Sequence, residues 1–160
     1  MTHLTTLICY GNQLAALDGL GKLTNLTTLE CSRNQLAALD GLGKLTKLTK
    51  LSCSDNQLKE EETSAAARLL VANAKRTKAT TLGLIGLGLT ELPPEVWELT
   101  HLTELDCSDN QLAALDGVYK LTNLTALICG SNPLSEEEAG KGEARLRINK
   151  ARAERATKLD

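Results

Sequence analysis

A chain of 160 residues, 42% of them hydrophobic, has room for one domain or a short repeat array. Its 18 basic and 20 acidic residues leave a formal charge of −2, which excludes the strong positive field that draws in nucleic acid. Phe is absent and the aromatic residues are Tyr10, Trp97 and Tyr119, so the core must be built from Leu, Ala, Ile, Val and Cys. The five Cys show no CxxC spacing and no Cys/His pairing, which argues against a zinc site or other metal cofactor. A signal-like start and a membrane-length apolar run are both missing from the sequence, so the expectation is a reduced, cytoplasmic protein with no membrane partner.

Along the chain one pattern recurs. LTTLICYGNQLAAL starts at Leu4, LTTLECSRNQLAAL at Leu26 and LTKLSCSDNQL at Leu48. A degenerate copy, ATTLGLIGLGLTEL, starts at Ala79, before LTELDCSDNQLAAL at Leu102 and LTALICGSNPL at Leu124. The spacings are 22, 22, 31, 23 and 22 residues. Within a unit, Leu-x-Cys (Leu7-Ile8-Cys9, Leu105-Asp106-Cys107) alternates as a strand does, with Leu and Cys inward and the middle residue outward. Strands one unit apart, connected over the back, must run parallel at about 4.8 Å spacing. Leu14, Leu17, Leu20 and Leu23 then line the inside of a coil. Burying a Leu contributes roughly 1.5–3 kcal/mol, yet one coil cannot enclose its own apolar side, so coils must stack.

Asn recurs at 12, 34, 56, 110 and 132, where the chain leaves each strand and turns. An amide there can both donate to and accept from buried turn peptides, which predicts a ladder of Asn side chains. The unit at Ala79 has Leu87 in this place, among Gly83, Gly86 and Gly88, and predicts a break in that ladder. Cys9, Cys31 and Cys53, and again Cys107 and Cys129, fall on adjacent strands at separations a disulfide permits. Their Cβ vectors run side by side into an apolar interior, so the thiols are read as free, buried small hydrophobes.

After Leu58 comes KEEETSAAARLLVANAKRTKAT, with acids first and bases last, matching a helix dipole over about 60–78. Ala67, Leu70, Val71 and Ala74 form its docking stripe. The theme returns after Leu134 as a helix over about 136–155, with a Ser135/Glu138 capping box and a stripe at Ala144, Ile148 and Ala151. Arg145, Arg147, Lys150, Arg152 and Arg155 are interspersed with acids and read as a solvated face. Residues 1–160 thus read as a single array with units starting near 4, 26, 48, 79, 102 and 124. Both ends fall inside the pattern, which predicts a piece of a longer array or ends that associate with other chains.

The pattern LxxLxCxxNxL resembles the signature of leucine-rich repeats. LTNLTTLECSRNQLAALDGL is similar to internalin-like repeats of the same 22-residue length, with Cys in place of the second strand Leu. The helix followed by ATTLGLIGLGLTELPPEVWEL resembles arrays in bacterial multidomain signalling proteins, including Roco-type GTPases. The resemblance implies an α/β leucine-rich-repeat solenoid, a horseshoe with a parallel concave sheet, convex loops and two longer helices. It implies a non-enzymatic protein–protein interaction scaffold that recognises through the concave face. A self-assembling structural array, or the regulatory arm of a larger signalling enzyme such as a Roco-type GTPase, are the rival readings.

The outward strand and loop positions supply the candidate partner-binding residues: Tyr10, Glu30, Arg33, Lys50, Asp55, Glu104, Asp106 and Asp109. Of the residue types that dominate interface energetics this surface offers only Tyr10 and Arg33, so no tight hot spot is evident, and the Asp106–Asp109 region favours a basic protein or peptide. His3 and His101 occupy equivalent register positions, and neither has a Ser, Cys or carboxylate at a spacing that recommends a catalytic pair. GLGLTEL lacks the Lys-Ser/Thr of a phosphate loop. The sequons at Asn25 and Asn123 follow from the TNLT register.

Overall fold

The computed structural model describes residues 3–143. The rest of the second helix expected from the sequence, with Ala144, Ile148, Ala151 and the basic residues from Arg145 onward, lies outside the described residues. One strand comes from each unit: β1 (Thr6–Ile8), β2 (Thr28–Glu30), β3 (Lys50–Ser52), β4 (Thr81–Ile85), β5 (Glu104–Asp106) and β6 (Ala126–Ile128). They form a parallel sheet in chain order, the layered solenoid that the repeat demands. Two residues beyond each inward Cys the backbone turns left-handed, at Gly11, Arg33, Asp55, Asp109 and Ser131, with φ between 53° and 69°. This turn ends the strand and carries the chain toward the back, where 3-10 turns such as Leu20–Lys22 and Leu42–Lys44 bring it round.

The interior is continuous from coil to coil. Leu29, Leu51 and Leu105 are fully enclosed, as are Cys31 and Cys107 beside them, and Leu26, Leu48, Leu102 and Leu124 form the next row. All five Cys are free thiols, and the three nearest the centre are buried, as the side-by-side Cβ argument expects. The first coil differs: Leu7, Leu14, Leu17 and Leu23 are only partly covered, while their counterparts Leu29, Leu36 and Leu45 are fully buried.

The helix α1 (Glu60–Thr77) docks on the back through Ala66, Ala67, Leu70, Val71 and Ala74. Glu60, Glu61 and Glu62 occupy its first turn and Lys75 and Arg76 its last, each sign at the helix end it stabilises. Asn73 is buried within the apolar face, and its Nδ2 donates to the Leu45 and Leu48 carbonyls, both at 2.9 Å. It satisfies turn carbonyls of a neighbouring coil that a purely apolar helix would have stranded. Residues 136–143 are helical as well, and Ser135 Oγ caps the Glu138 N–H at 3.2 Å. The reciprocal half of a capping box is absent because Glu138 is engaged elsewhere. Its Oε2 accepts from the Leu115 N–H of the preceding coil at 3.1 Å, as Glu62 Oε2 does from Leu39 N–H at 3.5 Å.

Register is where the structure departs from a uniform repeat. Leu7, Leu29 and Leu51 are paired in a row, but Leu51 then pairs with Leu84, whereas Leu82 pairs with Leu105. β4 is therefore displaced by two residues between its two neighbours. An even displacement keeps every side chain on its own face, so Leu82 and Leu84 are both buried. Glycine makes the displacement possible. A Cβ on Gly83 would lie 2.5 Å from Lys50 Cγ, and one on Gly86, at φ +63°, would lie 2.5 Å from Ser54 Cβ and 2.8 Å from its backbone nitrogen.

Candidate recognition groove

The ladder of amides sets the edge on which the groove is built. Asn34 Nδ2 donates to the carbonyls of Cys9, Cys31 and Ser32, and its Oδ1 accepts from Leu14 N–H. Asn56, Asn110 and Asn132 repeat this bridging of two coils. The break predicted at Leu87 is present: Leu87 is buried and supplies no amide to the coil before it. With its loops fixed in this way, each coil projects its left-handed residue to the rim in a single row, and Arg33, Asp55 and Asp109 are three of these residues.

That row gives one open groove of about 680 Å3 along the strand-exit edge of the sheet. Five of the sequence-predicted residues line it together: Tyr10, Glu30, Arg33, Asp55 and Asp109. The Arg33 guanidinium stacks 5.5 Å from the Tyr10 ring centre, and its Nε lies 3.4 Å from Asp55 Oδ2. Tyr10, Arg33 and Asp55 therefore form a chain of contacts across three coils. Arg33 and Asp55 are about two-thirds exposed, so their ion pair orders the rim and contributes little to stability. Three carboxylates and one guanidinium line the groove, with Ser32, Ser52, Ser54 and Ile85 on its floor and walls, which leaves it acidic.

The other three predicted residues lie elsewhere. Lys50 Nζ reaches Glu104 Oε1 at 3.7 Å, passing over β4 because Gly83 has no side chain to block it. Each charge is thus occupied by the other. Asp106 is a correction: alternation places it outward, yet it is 9% exposed. Its Oδ1 accepts from the Ser108 N–H at 3.1 Å and Ser108 Oγ at 2.6 Å, closing a local turn that folds the carboxylate against the chain. The basic-partner argument therefore rests on Glu30, Asp55 and Asp109. Sequence reasoning passed over Gly88 and Gln111 as groove residues; the GLGL run marked the ladder break but not its place at the groove.

Burial pushes the Cys53 and Cys107 thiols up to about 12 and Cys31 higher still, which removes the thiolate that nucleophilic or metal chemistry needs. His101 leaves Nε2 buried without a hydrogen-bond partner among the described residues. Among the described residues no group of His, Cys, Asp and Glu is arranged to hold a metal ion, and no helix is long and apolar enough to cross a membrane.

Comparison with known proteins agrees with this architecture. Solved structures similar to the chain include internalin C2 from Listeria monocytogenes, at 30% identity and TM-score 0.60, covering 90% of this chain and 58% of that one. The functional domain of InlJ from the same organism, which includes a cysteine ladder, matches at 34% identity and TM-score 0.57 over 88% of this chain and 33% of that one. The internalin inlF, also from Listeria monocytogenes, shares the fold at 23% identity and TM-score 0.55, covering 87% and 38% of the two chains. The chain thus spans between 33% and 58% of the length of these relatives. No curated protein matches it in sequence. Residues 2–44, 24–64 and 100–138 match the family model described as Leucine Rich repeats (2 copies), and the chain belongs to the leucine-rich-repeat family.

Proposed function

We propose that this protein is a non-enzymatic recognition scaffold that binds an extended, basic segment of a partner protein in the strand-exit groove. The observation that carries the reading is the Tyr10–Arg33–Asp55 rim, with Glu30 and Asp109 beside it, on strand-exit turns that the Asn ladder ties to neighbouring coils. An aromatic ring and a guanidinium held in place supply contact area at low entropic cost, and the three carboxylates select against acidic partners. The column of buried thiols is structural in this reading, a ladder of the kind named for InlJ, kept reduced in a cytoplasmic setting. The tie to Roco-type signalling proteins rests on the helix-plus-repeat sequence.

Selection of random dodecapeptides on the immobilised protein tests the proposal. Selected peptides are expected to carry net positive charge and to lose at least tenfold in affinity for an Asp55→Lys/Asp109→Lys variant. Equal affinity for both proteins would reject the groove.

A second reading draws on a different observation. The half-covered Leu7, Leu17 and Leu23, with Leu20, surround an apolar notch of about 460 Å3 on the face of the first coil, with Asp18 and Lys22 at its edge. In this reading a second copy of the chain pairs through the notch about a twofold axis. Light scattering across concentration separates this reading, in which mass doubles, from a monomeric scaffold.

A further inference from the structure

The ladder break leaves one backbone N–H without a protein acceptor among the described residues. In the other coils the N–H two residues beyond the ladder position is accepted by the amide of the next coil: Leu14 by Asn34, Leu36 by Asn56, Leu89 by Asn110 and Leu112 by Asn132. Leu58 is the counterpart between β3 and β4, and the residue due to serve it is Leu87. Among the described residues no acceptor meets the Leu58 N–H. The two-residue displacement of β4 does not rescue it, because the residue brought into line with Asn56 is Leu89, another residue without an amide.

An opening of about 350 Å3 stands at this gap, lined by Leu58, Asp55, Asn56, Glu60, Thr63 and Thr90 among others. It is polar, and it is continuous with its surroundings. Gly88 lines this opening, the recognition groove and a third cleft of about 230 Å3 against α1. A Cβ on Gly88 would meet nothing within 4 Å, so the passage over it is clear. The gap therefore offers an N–H without a protein acceptor, and the carboxylates of Asp55 and Glu60 line the same opening. A side-chain primary amide carries both complementary functions in one planar group.

We propose that the gap in the ladder is a subsite for an Asn or Gln side chain of the bound partner segment, which inserts beside Gly88 and completes the ladder in trans. The inference rests on the groove reading above and extends it in two ways. It names amide recognition as the source of specificity, and it carries the binding surface past the sheet edge toward α1. A site that hydrogen-bonds an amide discriminates against an isosteric apolar group, because that group displaces water from the Leu58 N–H and the acceptors without replacing its hydrogen bonds.

The test uses two synthetic octapeptides, acetylated and closed as methylamides, one of alternating Lys and Gln and one of alternating Lys and Leu, titrated into the 15N-labelled full chain. The Lys–Gln peptide is expected to shift the amide signals of Arg33 and Asp55 together with those of Leu58, Gly86 and Gly88. The Lys–Leu peptide is expected to shift Arg33 and Asp55 alone and to bind about tenfold more weakly. Thr90→Trp, placed at an exposed residue on the gap, should bring the affinity for the Lys–Gln peptide down to that for Lys–Leu. Shifts confined to Arg33 and Asp55 with both peptides would overturn the subsite while leaving the groove reading in place. No shift at either set would overturn both.

Discussion

A ladder asparagine is worth more than its four hydrogen bonds suggest, because its loss strands groups that water cannot reach. Asn34 is 8% exposed and joins two coils, serving three carbonyls and the Leu14 N–H. Asn12 is exposed and, among the described residues, donates only to Cys9 and Tyr10 of its own coil. Asn34→Ala is therefore predicted to destabilise by about 2–4 kcal/mol, and Asn12→Ala by less than about 1 kcal/mol, in urea unfolding. Similar losses at the two sites would contradict the ladder. The thiols supply a second prediction at this scale. Burial raises Cys53 and Cys107 from 9.0 to about 12, so between those pH values the unfolded chain releases protons that the folded chain retains. Their stabilising contribution is complete below pH 9 and falls as pH rises toward 12. In native protein, Cys9 and Cys129 should react with a thiol reagent well before Cys31, Cys53 and Cys107, with all five reacting in denaturant.

Among elements, β4 is the informative one. Its neighbours repeat Leu-x-Cys with one register, and the period-two alternation that located every strand is blind to a displacement of two residues, since such a displacement leaves the inward set unchanged. The sequence marked the place, through Gly83, Gly86 and Leu87 in a unit otherwise of standard form, but not the geometry. Gly86→Ala must put a Cβ against the Ser54 backbone at a positive φ, and is expected to destabilise by about 2–4 kcal/mol. Gly88→Ala, with open space around its Cβ, should cost only the left-handed strain, about 1 kcal/mol. Thermal melts of the two variants check this; equal losses would contradict the close approach of β3 and β4. The α1 stripe was legible from spacing, whereas Asn73 was not: a polar residue on an apolar face acquires its purpose only from the carbonyls of Leu45 and Leu48.

At the scale of the whole molecule, the repeat made the architecture readable, because each coil has the same apolar problem and the same solution. The groove was half readable. Tyr10, Glu30, Arg33, Asp55 and Asp109 gather because one column of left-handed turns lines them up, a regularity that follows from the period. Asp106 and the Lys50–Glu104 pair depend on Ser108 and on the missing side chain of Gly83, contacts that alternation does not encode. Both the groove and its proposed subsite require that β1 to β6 stand as one rigid stack sharing one interior, with the displaced β4 as a joint that transmits packing and does not divide it. Urea unfolding monitored by Trp97 fluorescence, which reports the coils beyond β4, and by far-UV circular dichroism, to which α1 ahead of β4 contributes strongly, tests this most directly. The account predicts coincident transitions with a single midpoint; two midpoints would show that the stack divides at β4, and would contradict it.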